Sequence, residues 1–143
     1  MTSTAGPLTT STERLARRDG TIGVLVVDDS LVFRTGMSRA VKACDGLELV
    51  GEADGGAAAL EAIAELGPDL VILDLRMPEV DGLAVLRQLR AQDPPPACRV
   101  LVISASIEDG AEQEVMAAGA DGFLSKALTR AEICEVALRI VAE

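Results

Sequence analysis

Five chemistry-bearing residues sit where four apolar runs end. Asp28 and Asp29 follow IGVLVV (22–27), Asp74 closes DLVILD (69–74), Ser104 closes RVLVIS (99–104), and Lys126 follows DGFLS (121–125). Lysine is scarce, with Lys42 and Lys126 the only two against eleven arginines, so the position of each is informative. Carboxylates brought close together repel, and one of them takes up a proton unless a cation compensates. Oxygen donors of this kind suit Mg²⁺, which keeps part of its water shell. With that compensation Asp74 can stay ionised and attack phosphorus, because carboxylates do act as phosphoryl acceptors. Lys126 and the metal would then offset charge on the phosphoryl oxygens, and the Ser104 hydroxyl could donate a hydrogen bond to the product phosphate.

This chemistry requires the ends of these four runs to meet, and the pattern of elements says that they do. Apolar runs alternate with helical periods along the whole chain. IGVLVV (22–27) is a strand, and Ser30 to Ala43 is a helix with Phe33, Met37, Ala40 and Val41 on one face. LELVGEA (47–53) is a strand, and the helix in GGAAALEAIAEL is stopped by Gly67-Pro68. DLVILD (69–74) is followed by a helix from about Asp81 to Gln92, which Pro94-Pro95-Pro96 ends. RVLVIS (99–104) leads to an acidic helix over about 108–118, and DGFLS (121–125) is a short strand. Thr129 and Glu132 have capping-box spacing, and Ile133, Val136, Ala137 and Ile140 form the stripe of a last helix.

Strict alternation of this kind predicts an α/β fold, a doubly wound (βα)5 domain with a five-stranded parallel sheet. The unbroken apolar runs belong inside, where both faces are covered, and the mixed second strand and short fifth strand belong at the rims. The expected strand order is 2-1-3-4-5. All C-terminal strand ends then lie on one edge, the edge where open α/β sheets bind ligands. Strand three ends on a charge because its end is the floor of a site.

Composition narrows the function classes. At 143 residues, 49% of them hydrophobic, the chain is the size of one domain with one real core. Residues 1–20 are rich in Ser and Thr without an apolar period and read as a flexible tail before a domain spanning 21–143. Met1 and this native-looking tail suit a natural start. Arg17-Arg18 is not followed by the long apolar segment of an export signal, because Ile22–Val27 is short and runs into Asp28-Asp29. No stretch approaches the ~18 apolar residues of a membrane helix, so a cytoplasmic protein without a membrane partner is expected. A net charge of −10 argues against direct nucleic-acid binding. The absence of histidine removes Ser-His-Asp and Cys-His nucleophile systems, and Cys44, Cys98 and Cys134 lack metal or redox spacing and read as core filler.

Taken singly, each feature has an ordinary explanation: a turn and N-cap for Asp-Asp-Ser, capping for Asp74, a solvated charge for Lys126, a satisfied strand end for Ser104. Their convergence from four strands is what points to a site. In combination, VVDDS (26–30), LDLRMPEVDG (73–82), VISAS (102–106) and GADGFLSK (119–126) resemble the receiver domains of bacterial two-component response regulators, over about residues 21–143. FRTGM, LVGEADGG and ADGFLSKALTRAEI look most like the receivers of NarL/LuxR-type transcriptional regulators. The resemblance implies that Asp74 is the phosphoacceptor, Asp29 a direct Mg²⁺ ligand, Asp28 its water-mediated partner, and the Arg76 backbone carbonyl the third protein ligand. Ser104 and Lys126 would contact the phosphate, and Phe123 would be the switch aromatic on strand five. The implied partners are a sensor histidine kinase or a phosphotransfer protein, and a second copy of the chain could pair with it as a homodimer.

Two positions depart from the pattern. Val80 stands where the family often has Met or Leu, which reads as simple repacking. Ala127 follows Lys126 where many receivers have proline, so the bond there is expected to be trans, a non-proline cis bond costing about 3 kcal/mol. An enzyme working through an aspartyl phosphate is a competing reading, but it would want a second acid two residues after the nucleophile, and that position is Arg76. A degenerate receiver acting only as an interaction module is the other, disfavoured by the intact acidic cluster and lysine. No GxxxxGK[ST] loop supports nucleotide hydrolysis.

Overall fold

A computed structural model describes residues 20–106 and 110–142. Strands β1 (Ile22–Val27), β2 (Leu47–Ala53), β3 (Leu70–Asp74), β4 (Arg99–Ser104) and β5 (Gly122–Ser125) alternate with helices α1 (Leu31–Ala43), α2 (Gly56–Leu66), α3 (Gly82–Ala91), α4 (Ala111–Ala117) and α5 (Arg130–Ala142). The strands pair in parallel in the order β2-β1-β3-β4-β5, as the distribution of apolar runs predicts. All five residues of β3 are buried, whereas β2 is mixed and β5 is half-buried, so the rims are the strands whose side chains tolerate water.

Side chains on a strand alternate between faces, and here that alternation splits the core in two. Leu25, Val27, Val71, Leu73, Val100 and Val102 pack beneath α2, α3 and α4. Val24, Val26, Leu70, Ile72, Leu101 and Ile103 pack beneath α1 and α5. Leu86 and Leu89 of α3 are fully buried, each contributing roughly 1.5–3 kcal/mol relative to exposure. Cys98 and Cys134 are buried and Cys44 is half-buried, all as free thiols within these layers. Burial, and then the neighbouring Cys44, pushes the Cys134 thiol up to about 11.

Local signals set the element ends. The Ser30 hydroxyl accepts a hydrogen bond from Phe33 N, and the Asp81 carboxylate accepts one from Ala84 N, capping α1 and α3. Thr129 and Glu132 form the expected reciprocal box, with Glu132 N donating to Thr129 Oγ1 at 3.0 Å and Thr129 N to Glu132 Oε1 at 2.8 Å. Helix α4 ends at Ala117; its expected beginning near 108, like the tail before residue 20, lies outside the described residues. The Lys126–Ala127 bond is trans. No helix among the described residues is long and apolar enough to cross a membrane.

At the N-terminal edge of the sheet, Arg90 gathers three segments. Its Nε and Nη2 donate to Gly119 O, its Nη1 donates to Cys98 O, and Nη2 lies 3.2 Å from Asp121 Oδ2, which also accepts from Val100 N.

Candidate functional site

The C-terminal ends of β1 and β3 bring the acidic residues together. Asp28 N donates to Ala53 O, continuing the sheet one residue past β1, and this holds the Asp28 carboxylate under the start of α1. Its Oδ1 accepts from Ser30 N at 2.8 Å, and its backbone carbonyl accepts from Arg34 Nη1 at 2.8 Å. Arg34 Nε in turn donates to Glu52 Oε1 at 3.1 Å, so one guanidinium ties the end of β1 to β2. Asp74 is fixed by Arg76 N, which donates to its Oδ1 at 3.3 Å. Helix α3 begins against the backbone of Asp74: a Cβ at Gly82 would overlap the Asp74 carbonyl oxygen and lie 2.9 Å from Leu75 Cα. Glycine at 82 is therefore what lets α3 start so close to the end of β3, with Gly82 N donating to Leu75 O. The turn between them also places Glu79 in the left-handed region at φ 67°, unusual for a residue with a Cβ.

Carboxylate oxygens of Asp28, Asp29 and Asp74 all lie within 4.8 Å of one another. Asp28 and Asp74 are almost completely buried, at 0% and 2% exposure, while Asp29 faces solvent. Lys126 reaches into the cluster from the end of β5, its Nζ 2.7 Å from Asp28 Oδ2 and 3.4 Å from Asp74 Oδ2. The Lys126 ammonium is the charge partner of the buried Asp28 Oδ2, which makes no further hydrogen bond among the described residues. One ammonium does not balance three carboxylates. Burial first, and then repulsion from Asp28, pushes the Asp74 carboxyl up to about 7, against the opposing pull of Lys126 and of Arg76 N.

The sequence-predicted residues divide into two groups. Asp28, Asp29, Asp74 and Lys126 meet directly. Ser104 is fully buried one residue beyond the Asp74–Ile103 pairing, and its hydroxyl donates to Ser106 O at 2.8 Å. Lys126 N donates to Ser104 O at 2.8 Å, so the two are linked through backbone. Phe123 pairs with Val102 and packs, half-buried, against the layer beneath α2, α3 and α4. Arg76 is exposed. Val80 lies against the start of α2, where a Cβ at Gly56 would overlap its backbone carbonyl and its side chain.

Sequence reasoning passed over Gly82, Arg34 and Phe33. The Phe33 ring centroid lies 4.6 Å from Lys126 Nζ, a contact that its place on an apolar helix face does not foretell. A search among arginines, as well as lysines, close to the Asp-Asp pair would have found Arg34. No local signal marks Phe33, because its partner is 93 positions away.

Comparisons with known proteins agree with this fold. The family model described as "Response regulator receiver domain" matches residues 24–138. The Mycobacterium tuberculosis protein named "Probable transcriptional regulatory protein NarL" is 44% identical over 117 residues, 82% of this chain and 53% of that protein. "Response regulator GacA" of Pseudomonas viridiflava is 38% identical over 84% of this chain and 55% of its own length. The chain thus spans about half the length of these curated relatives. A solved signal receiver domain of NarL from Mycobacterium tuberculosis superposes with a TM-score of 0.80 at 41% identity, covering 85% of this chain and 97% of that one. A two-component response regulator of the LuxR family from Aurantimonas sp. SI85-9A1 superposes at 0.79 with 29% identity, covering 85% and 86%. With the family model matching most of the chain and the acidic edge built from the residues that the motifs carry, this protein belongs to the response regulator receiver domain family.

Proposed function

We propose that the chain is a phosphorylation-switched receiver in which Asp74 accepts a phosphoryl group, supplied by a sensor histidine kinase or phosphotransfer protein. The observation that carries this reading is the nearly buried Asp74 carboxylate, within 4.8 Å of Asp28 and Asp29 and 3.4 Å from the Lys126 ammonium. An Asp74 oxygen attacks phosphorus, the bond from phosphorus to the donor's nitrogen or oxygen breaks, and the donor leaves with that electron pair. Lys126 is placed to offset charge on the transferred oxygens.

The residues present fit Mg²⁺. Three carboxylates offer oxygen donors only, a single ammonium stands against their combined charge, and Asp74 retains a proton near neutrality unless its neighbours' charge is offset. Asp29, Asp74 and the Arg76 backbone carbonyl would hold the ion directly and Asp28 through water. Bound there, Mg²⁺ supplies positive charge that keeps Asp74 ionised and lowers the cost of phosphoryl transfer.

The product would be read through Ser104 and Phe123. The Ser104 hydroxyl leaves Ser106 O for the new phosphate oxygens, and the half-buried Phe123 ring turns inward. The face made by α4, β5 and α5 then changes and takes up a partner or a second copy of the chain. The receiver occupies residues 21–143 with a tail before it, works in the cytoplasm, and does not itself bind nucleic acid, in keeping with a net charge of −10. Intact mass after treatment with acetyl phosphate tests the reading. One added phosphate with Mg²⁺, none with EDTA and none in Asp74→Asn are expected. An unlabelled wild-type chain would leave an interaction module, and multiple turnover on small phosphate esters would indicate an enzyme.

A further inference from the structure

Phe33 and Arg130 form a built unit that the reading above does not use. Lys126 Nζ lies 4.6 Å from the Phe33 ring centroid, and the Arg130 guanidinium carbon lies 5.3 Å from the same centroid. Both distances fall within cation–π range. Residues three apart on a helix share a face, so Gly36 of α1 lies beside Phe33. A Cβ at 36 would lie 2.8 Å from Arg130 Cζ and Nη2, so glycine there gives the guanidinium room. Arg130 is also the first residue of α5, where the helix dipole disfavours a cation. Its position against the ring offsets that cost.

The ring does for Lys126 what the carboxylates cannot. Asp28 and Asp74 attract the ammonium from two directions, and Asp28 Oδ2 is the nearer by 2.7 Å against 3.4 Å. To meet the oxygens of a phosphoryl group arriving at Asp74, the ammonium must leave that 2.7 Å contact. The aromatic face attracts without accepting a directional hydrogen bond, so the ammonium can shift from Asp28 towards Asp74 without losing contact. We propose that Phe33 is a positioning residue for Lys126, its ring keeping the ammonium poised between Asp28 and Asp74, with Arg130 and Gly36 holding the ring. This rests on the proposed phosphoryl transfer to Asp74.

The test replaces Phe33 with mono-, di- and trifluorophenylalanine, which drain the ring face of negative charge with little change of shape. The rate of Mg²⁺-dependent phosphoryl uptake from acetyl phosphate should fall stepwise, by about threefold to tenfold for the trifluorinated ring. At 1.36 kcal/mol per tenfold this is about 0.7–1.4 kcal/mol, within the span of cation–π contacts. Phe33→Tyr should keep the rate within about twofold, and Phe33→Leu should slow it like the trifluorinated ring. A flat fluorination series, whatever Phe33→Leu does, would overturn the proposal and leave Phe33 a packing residue. Absence of uptake in the unsubstituted chain would instead overturn the phosphoacceptor reading. The contact is read independently of any reaction, since Lys42→Arg leaves Lys126 the single lysine. Its ε-methylene protons should be shifted upfield by the ring and return to ordinary values in Phe33→Leu; unshifted protons would refute the contact.

Discussion

Removing the charge of Asp74 should stabilise the chain when no divalent cation is present, and the gain should depend on pH. The Asp74 carboxyl is pushed from its ordinary 3.8 to about 7, chiefly by burial and then by Asp28. In the unfolded chain it loses its proton near its ordinary value. Between 3.8 and about 7 the native state therefore binds more protons than the unfolded state, and stability falls as pH rises through that window. The contribution is fully present below the unfolded value and lost once pH passes the folded one. Asn at 74 does not titrate, so its advantage over wild type should grow from pH 5 to pH 8. The two pH units below 7 correspond to at most about 2.7 kcal/mol, and water entering near Lys126 reduces this to about 2 kcal/mol. The assay is urea unfolding of wild type and Asp74→Asn at pH 5, 6.5 and 8 with EDTA, repeated with Mg²⁺. In EDTA the Asn variant should gain about 2 kcal/mol relative to wild type across this range, roughly 8 °C in Tm. Added Mg²⁺ should raise the stability of wild type more than that of the variant. A difference that does not change with pH, or a variant less stable than wild type at pH 8 in EDTA, would refute the electrostatic reasoning.

Gly82→Ala should destabilise the fold by more than about 2 kcal/mol, because its Cβ would overlap the Asp74 carbonyl oxygen; thermal unfolding reads the loss, and a Tm within a degree of wild type would contradict it. Thr129→Ala removes the acceptor for Glu132 N and should cost about 1 kcal/mol by the same measurement, with phosphoryl uptake intact. For the switch, Phe33 and Phe123 are the only aromatics, so ring NMR signals can be assigned with Phe33→Leu and followed as beryllofluoride is added with Mg²⁺. The Phe123 ring should move to a more buried environment, a gain of about 1 kcal/mol from the apolar area covered, and unchanged shifts with the Asp74 site filled would exclude this switch.

Much of the fold was legible because its signals are local. The runs in β1, β3 and β4 are continuous and buried on both faces, and β2 and β5 announce themselves as rims by polarity and shortness. The acidic edge was legible because Asp28 and Asp74 interrupt apolar runs where a strand has no reason to end on a charge. What stayed hidden depends on contacts between distant segments. The closeness of α3 to β3 at Gly82, the Arg34 bridge from the Asp28 carbonyl to Glu52, and the Arg90 junction leave no periodic trace. Phe33 misled in a more instructive way. It fits the apolar stripe of α1 and does pack against the core, but its ring also meets two cations, supplied from residues 126 and 130. A register shift in β1–β2 pairing at Val24/Leu25 was equally invisible.

Whether Asp74 is the acceptor is decided most directly by trapping the product. An aspartyl phosphate is an acyl phosphate, and borohydride reduces it to homoserine while leaving free carboxylates intact. After acetyl phosphate and Mg²⁺, peptide mass spectrometry of the reduced chain should find homoserine at position 74 and unmodified aspartate at 28 and 29. Homoserine at 28 or 29, or its appearance in an Asp74→Asn chain, would contradict the assignment.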